Sequence, residues 1–512
     1  MRDAIRRVTD TDVREIGEKW GIDVAPGEAD AMADQVNSRL ADDLTAVYDV
    51  PVPSGALDPG ERPWSEGTDR YNAIRVDCRV PPTTDAGDLL DGVTVGLKDL
   101  IAVAGVPMRC GSAVMEGFVP STDASVTTRL RRAGATVAAK TTMDEFAGGG
   151  RGRTARGLVR NPLDEDRIAG GSSGGSGAAV AAGLVDVALG TDTGGSTRKP
   201  AAFCGVVGLK PTYGLVPLSG VIENTSALDH VGPIARSVTD AARVLEAIAG
   251  PDAADPASAA AASEESYRMG GYVEAVASPP QINDLRVGVA TQGLTDDIEE
   301  TVAARHRAAV DEIEDAGATL VEVEIPYLDE TKHLKNAISY TELAAYWRDG
   351  GAPIRRGGSV DPGDRAGFQR RARAASGELN AFYRSRMLAG AHLADAHGAR
   401  HYVRARAAQA TVREALAGEL SDIDVLATPT VPALAPTVEE VTDPDFDYDG
   451  LEHTFGYGRY TKVANVTGVP ALTVPNRTED GPAVGLQLLA PRFDEAALLA
   501  AGSRLADVVD GN

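Results

Sequence analysis

From Tyr71 to about Gly250, short β-prone runs alternate with alanine-rich helical stretches, and few folds accommodate such a pattern. Val93–Leu97, Ala135–Ala139 and Val185–Leu189 read as strands, with helices at Ala124–Ala133 and Gly177–Gly183 between them. The alternation predicts an α/β class, with helices flanking a central sheet. It resumes after Pro251–Ser266, a low-complexity stretch expected to be an exposed connection. Leu285–Ala290 and Thr319–Ile325 then read as strands around a helix from about Asp297 to Ala316. Gly350–Gly367 reads as a loop ahead of further helices, and Asp424–Thr428, Ala471–Val474 and Val484–Leu488 return to strand. No internal repeat of about 20 to 50 residues is present.

Residues 1–70 have a different character. Asp10 or Thr11 can cap a helix, and Gly27–Tyr48 carries Ala31, Met32, Val36, Leu40, Leu44 and Val47 at helical spacing. The Pro/Gly-rich segment Pro51–Trp64 follows as a linker. We therefore expect a small helical extension over 1–70 and one large domain over 71–512. With 43% hydrophobic residues in 512, a sizeable core is available.

Charge limits the partners. The 75 acidic and 50 basic residues leave a formal charge of −25, a surface that repels phosphate backbones, so nucleic acid is not expected. Only eight of the basic residues are lysine, the balance expected of a protein kept soluble in concentrated salt; an ordinary acidic enzyme from a GC-rich genome is the alternative. Cys78, Cys110 and Cys204 are odd in number and widely spaced, which suits a reducing cytoplasm better than a disulfide framework or a zinc cage. The start lacks an apolar signal core, and no uncharged apolar run reaches about 18 residues, so neither export nor membrane insertion is expected.

The chemistry is concentrated in two loops, Gly170-Gly-Ser-Ser-Gly-Gly-Ser-Gly177 and Thr191-Asp-Thr-Gly-Gly-Ser-Thr-Arg198, where backbone N–H groups can surround a small ligand. The first lacks the Lys-Ser/Thr ending of a phosphate loop, and Gly150-Arg-Gly152 lacks the third glycine of a dinucleotide fingerprint. Gly171-Ser-Ser-Gly-Gly175 matches the GxSxG nucleophile elbow with Ser173, but that turn needs a strand before it, and Asn161–Arg167 reads as a loop. Lys98 ends an apolar strand, and strand alternation turns its neighbour Asp99 to the other face. No histidine adjoins either loop. A lysine made neutral by burial could serve as the base that a serine nucleophile requires.

These residues resemble the amidase signature family. The resemblance rests on Gly170–Ser176, Gly190-Thr-Asp-Thr-Gly-Gly-Ser-Thr-Arg-Lys-Pro-Ala201, Gly205-Val-Val-Gly-Leu-Lys-Pro-Thr212, Asp229-His-Val-Gly-Pro233 and the Lys-Asp context of Lys98. It extends from about Tyr71 to the C-terminus and implies a single catalytic domain over 71–512 whose central sheet is mixed and twisted and flanked by helices. It implies that Ser196 is the nucleophile, that Ser172, 24 residues earlier and preceded in relatives by a cis peptide bond, is the bridge, and that Lys98 is the base. It also implies an oxyanion hole of the backbone N–H groups of Thr193, Gly194, Gly195 and Ser196, with no cofactor and no metal. Thr197 and Lys199 depart from the apolar residues usual in relatives and adjoin the pocket in sequence.

The histidines His230, His392, His397 and His401 read as surface or packing residues, since no HExxH or carboxylate in ligand spacing accompanies them. Within the family, glutamine users place an Asp three residues before the Thr of the segment matching Tyr457–Thr461; here Gly458 stands there. The N-terminal extension and Val103–Met108 look more like nitrile-pathway amidases. The expectation is therefore a free amidase on a small-molecule amide, homodimeric and cytoplasmic. The glutamine-hydrolysing component of a tRNA-dependent amidotransferase is the alternative, and a catalytically silent scaffold is the reading from another class. Glu223–Leu228 and Phe368–Tyr402 are expected to line the acyl pocket.

Overall fold

The computed structural model describes residues 7–49, 62–148, 153–154, 156–290, 292, 298–349, 365–442, 458–476 and 482–509. Gly150–Gly152, Tyr457, positions 51–61 of the linker and positions 350–364 of the second loop lie outside them. The chain divides into two compact units, Met1–Ala56 and Leu57–Asn512.

The first unit holds two helices, Asp10–Trp20 and Ala29–Asp49. The cap of the first is Thr9 rather than Asp10 or Thr11: its hydroxyl accepts the Asp12 N–H while the Asp12 carboxylate accepts the Thr9 N–H. On the second helix Ala29 and Ala33 are buried, whereas Ala31 is exposed.

The second unit is built on one sheet of 12 strands. In chain order they are β1 (Trp64–Glu66), β2 (Ile74–Val80), β3 (Thr94–Lys98), β4 (Thr136–Thr141), β5 (Val187–Asp192), β6 (Val207–Lys210), β7 (His230–Ala235), β8 (Arg286–Ala290), β9 (Thr319–Val323), β10 (Val425–Pro429), β11 (Ala471–Val474) and β12 (Leu486–Leu489). Across the sheet they run β1-β2-β4-β3-β5-β7-β6-β11-β12-β10-β8-β9. The pairs of β3 with β4 and β5, and of β8 with β9 and β10, are parallel; the rest are antiparallel, so the sheet is mixed. Every residue of β5 is buried and β3 is buried from Val95 onward, as expected of strands covered on both faces.

Three sequence expectations change. Pro251–Ser266 is not wholly an exposed connection: Asp255 caps a short helix, Pro256–Ala261, in which Ser258 and Ala261 are buried. The segment before Ser173 is not a loop but an antiparallel hairpin, Arg160–Asn161 with Asp164–Ile168. The helix expected at Gly177–Gly183 begins earlier and spans Gly174–Ala181. Its glycines let it press onto the sheet: a Cβ on Gly175 would stand 2.4 Å from the Thr142 carbonyl oxygen and 2.5 Å from that of Ala73.

Candidate active site

Lys98 is the last residue of β3 and is completely buried. Asp99 does not pair with it; the Asp99 carboxylate meets Lys140 of neighbouring β4 at 3.0 Å, on the opposite side of the strand. Lys98 Nζ instead lies 2.8 Å from Ser172 Oγ, 2.8 Å from Thr191 Oγ1 and 3.4 Å from the Thr191 carbonyl oxygen. Burial pulls the Lys98 ammonium group down to about 7, against the raising pull of Asp144, Asp229 and Asp192.

Ser172 sits just before helix Gly174–Ala181, and the Gly171–Ser172 peptide bond is cis. The Ser173 N–H donates to the Ser196 carbonyl at 3.3 Å, which ties the first loop to the second. Ser173 itself is buried, and its hydroxyl exchanges hydrogen bonds with the Thr191 backbone, 3.2 Å each way; it holds β5 and does not sit on an elbow. Ser196 lies between β5 and helix Arg198–Cys204 and is partly exposed, whereas Gly195 and Thr197 beside it are buried.

The second loop is held by Asp192, a motif residue to which sequence reasoning assigns no role. Its carboxylate takes the Arg198 guanidinium at 2.8 and 2.9 Å and the Asn465 amide at 2.8 Å. Burial raises this carboxyl, but Arg198 and Asn465 outweigh it and hold it well below the usual carboxylate range. Asp192 also accepts the Gly195 N–H at 2.7 Å and the Thr197 N–H at 3.2 Å. The Gly195 N–H, expected as one of four oxyanion donors, is engaged here by this carboxylate. Gly195 has φ +110°, and a Cβ there would stand 2.4 Å from Thr461 Oγ1, so the position admits glycine alone. Thr461 in turn donates to the Gly194 carbonyl at 2.9 Å.

Asp229 buttresses the next turn. It accepts the Thr193 hydroxyl and the N–H groups of Asn224 and Thr225, at 2.6 and 2.9 Å for the latter two. The signal for Asp192, Arg198 and Asp229 lies within the motifs themselves; the roles of Thr191, Thr461 and Asn465 depend on strand and helix neighbours that a linear reading does not supply.

Thr197 is fully buried against Gly190 and does not line a pocket. Phe368 and Tyr383 pack with Phe146 and Trp347 in an aromatic core. His230 Nδ1 lies 2.7 Å from the Leu228 carbonyl oxygen, and the His392, His397 and His401 rings adjoin one another on the surface. Among the described residues, no cluster of three or more His, Cys, Asp or Glu could hold a metal, and no helix is long and apolar enough to cross a membrane.

The chain matches the Amidase family over residues 71–499. It is 41% identical to the A-type subunit of glutamyl-tRNA(Gln) amidotransferase from Haloarcula marismortui over 440 residues, 85% of this chain and 99% of that protein. Among solved structures, native peptide amidase from Stenotrophomonas maltophilia is similar with TM-score 0.66 at 33% identity, over 82% of this chain and 83% of its own. PAM12A is similar with TM-score 0.69 at 28% identity, over 99% of this chain and 97% of its own. The Haloarcula relative is named as one subunit of a tRNA amidotransferase. That similarity overturns the expectation of a homodimer confined to a small-molecule amide and without nucleic acid; net surface charge says nothing of partners bound through another protein of a complex. With the mixed sheet, the two glycine-serine loops and the match over 71–499 in agreement, the chain belongs to the amidase family.

Proposed function

We propose that the chain hydrolyses a carboxamide through an acyl-enzyme on Ser196, with Lys98 as base and Ser172 as relay. The strongest support is the 2.8 Å contact of Lys98 Nζ with Ser172 Oγ, both fully buried. A neutral amine has two N–H donors and one lone pair. The Thr191 hydroxyl and carbonyl can take the donors, which leaves the lone pair for the Ser172 O–H. Ser172 gives its proton to Lys98 as it takes one from Ser196, and the Ser196 oxygen attacks the amide carbon. The N–H groups of Thr193, Gly194 and Ser196 are the donors left for the oxyanion. The proton passes back to the leaving nitrogen, ammonia departs, and water cleaves the acyl-enzyme by the same relay.

For the substrate, glutamine is the better-supported reading, with the chain acting in the cytoplasm as the glutamine-hydrolysing component of a tRNA-dependent amidotransferase. The carrying observation is the 41% identity that covers 99% of a relative bearing that name. A free amide hydrolase is the second reading. Two observations favour it: Gly458 offers no carboxylate to a substrate amino group, and a protein named as a peptide amidase, that from Stenotrophomonas maltophilia, is similar at 33% identity over 82% of the chain. The division near residue 70 belongs to this proposal; a family match that begins at residue 71 supports it, whereas the compact units part at Ala56 and Leu57 and β1 already belongs to the large sheet.

The test is ammonia release from glutamine and from propionamide by the native and Ser196→Ala proteins, alone and with partner subunits and Glu-tRNA(Gln). Release from glutamine that needs Ser196 and rises with partner and tRNA is expected. Equal rates in both proteins would remove Ser196 as nucleophile, and Ser196-dependent hydrolysis of propionamide alone would favour the second reading.

A further inference from the structure

The loop ahead of Ser196 is held from outside the sheet by a chain of buried hydrogen bonds. It starts at Glu342 on helix Glu330–Arg348, a residue only 8% exposed. One of its carboxylate oxygens accepts the hydroxyl of Tyr402, from helix Arg400–Glu419, at 2.7 Å, and the other accepts the Ala227 N–H at 3.2 Å. One turn earlier on the same helix, the Ser339 hydroxyl lies 3.0 Å from that of Thr225. The helix therefore grips the turn from Asn224 to Asp229 at two points. Asp229 closes that turn: one oxygen accepts the Asn224 and Thr225 N–H groups, and the other accepts the Thr193 hydroxyl. Thr193 precedes Gly194, and both offer N–H groups to the oxyanion in the mechanism above. Glu342, Ser339, Thr225, Asp229 and Thr193 are all buried. Taking a carboxylate out of water is costly, and packing alone would be served as well by a leucine.

From this connectivity we infer that Glu342 is a positioning residue for the oxyanion donors. By holding Ala227 and Tyr402 together it fixes the turn through which Asp229 keeps the Thr193 and Gly194 N–H groups in place for the reacting carbonyl. The inference rests on Ser196 as the nucleophile and adds the outer support of its loop. Donors set for an oxyanion lose most of their effect when displaced by about 1 Å, so a smaller shift of Thr193 slows the reaction while the fold stays intact. The other side of the loop is fixed by Asp192, which accepts the Gly195 N–H, and by Thr461, which donates to the Gly194 carbonyl. Loss of Glu342 therefore weakens the hole without dismantling it.

The experiment measures kcat and KM on glutamine and on propionamide for a set of full-length variants of native circular dichroism. Glu342→Leu keeps the volume and loses both hydrogen bonds. Glu342→Gln keeps both, since its oxygen can accept the Ala227 N–H and its amide can donate to the Tyr402 oxygen. In Glu342→Leu, kcat is expected to fall about tenfold with KM within about twofold of native, the pattern of an interaction made in the transition state. Glu342→Gln should recover kcat to within about threefold, and Tyr402→Phe, which removes one bond alone, should fall between. Ile313→Ala, a core truncation on helix Glu300–Asp315, should lower the urea midpoint and leave kcat unchanged. Native kcat in Glu342→Leu and Tyr402→Phe, or a fall that Glu342→Gln does not restore, overturns the inference while leaving Ser196 in its role. Amide hydrogen exchange in the Ser196→Ala background separates the two claims. Glu342→Leu should speed exchange in peptides covering 190–196 as well as 223–229, whatever turnover says of the nucleophile; faster exchange confined to 223–229 refutes the coupling.

Discussion

Lys98, Lys140 and Lys210 are equally buried, and their surroundings give them different work. Lys140 has the Asp99 carboxylate at 3.0 Å, whereas Lys210 donates to the Pro211 carbonyl and is driven well below the usual lysine range by burial. Lys98 alone meets two hydroxyls, and a value of about 7 makes it titrate where an enzyme can use it. The sign for stability follows. Between about pH 7 and the ordinary lysine value of 10.5, the unfolded chain holds a proton that folded Lys98 has released, so this group makes stability rise with pH there. Below pH 7 both states are protonated and the cost of burial is felt in full. Thr197 offers a simpler test, because its buried hydroxyl has no hydrogen-bond partner among the described residues. Thr197→Val keeps the shape and removes that group, so it should stabilise the protein by about 1 kcal/mol, seen as a higher urea midpoint. A lower midpoint would mean that the hydroxyl has a partner after all.

The elements that bear the site were readable to the extent that their signal was local. The strand ending at Lys98 and the one leading into Asp192 follow from apolar β-prone runs, and alternation separates Lys98 from Asp99 before any neighbour is known. Glycine-rich text misleads about where a helix begins. It delays the expected start of helix Gly174–Ala181, whose glycines are there for contact with the Thr142 and Ala73 carbonyls and not for flexibility. Alanine-rich text likewise hides Pro256–Ala261, although Asp255 before Pro256 is a helix-start signal that can be read. The Gly195 N–H illustrates a further limit. Its residue type is right for a hole, but its direction is set by Asp192, and no spacing rule gives the direction of a donor.

At the scale of the whole molecule, the order of the sheet brings the two loops together. β3 and β5 are parallel neighbours, so Lys98 and the loop after Asp192 emerge at the same edge, while Arg198 reaches Asn465 and Gln487 far along the chain. Such long-range partners were not legible in the sequence. Net charge was legible, and with −25 to disperse we propose that the fold needs salt to screen self-repulsion. Tm should rise by several degrees from about 0.1 to 2 M KCl, and a fall would contradict the reading. The relay itself is tested most directly by the pH dependence of kcat/KM for Ser196-dependent amide hydrolysis in the native and Lys98→Arg proteins. The native profile should climb about tenfold per pH unit and level off near pH 7, as Lys98 loses its proton, with the always-charged Arg variant inactive throughout. A native rate flat from pH 6 to about 8, or an active Lys98→Arg protein, would contradict the role given to Lys98.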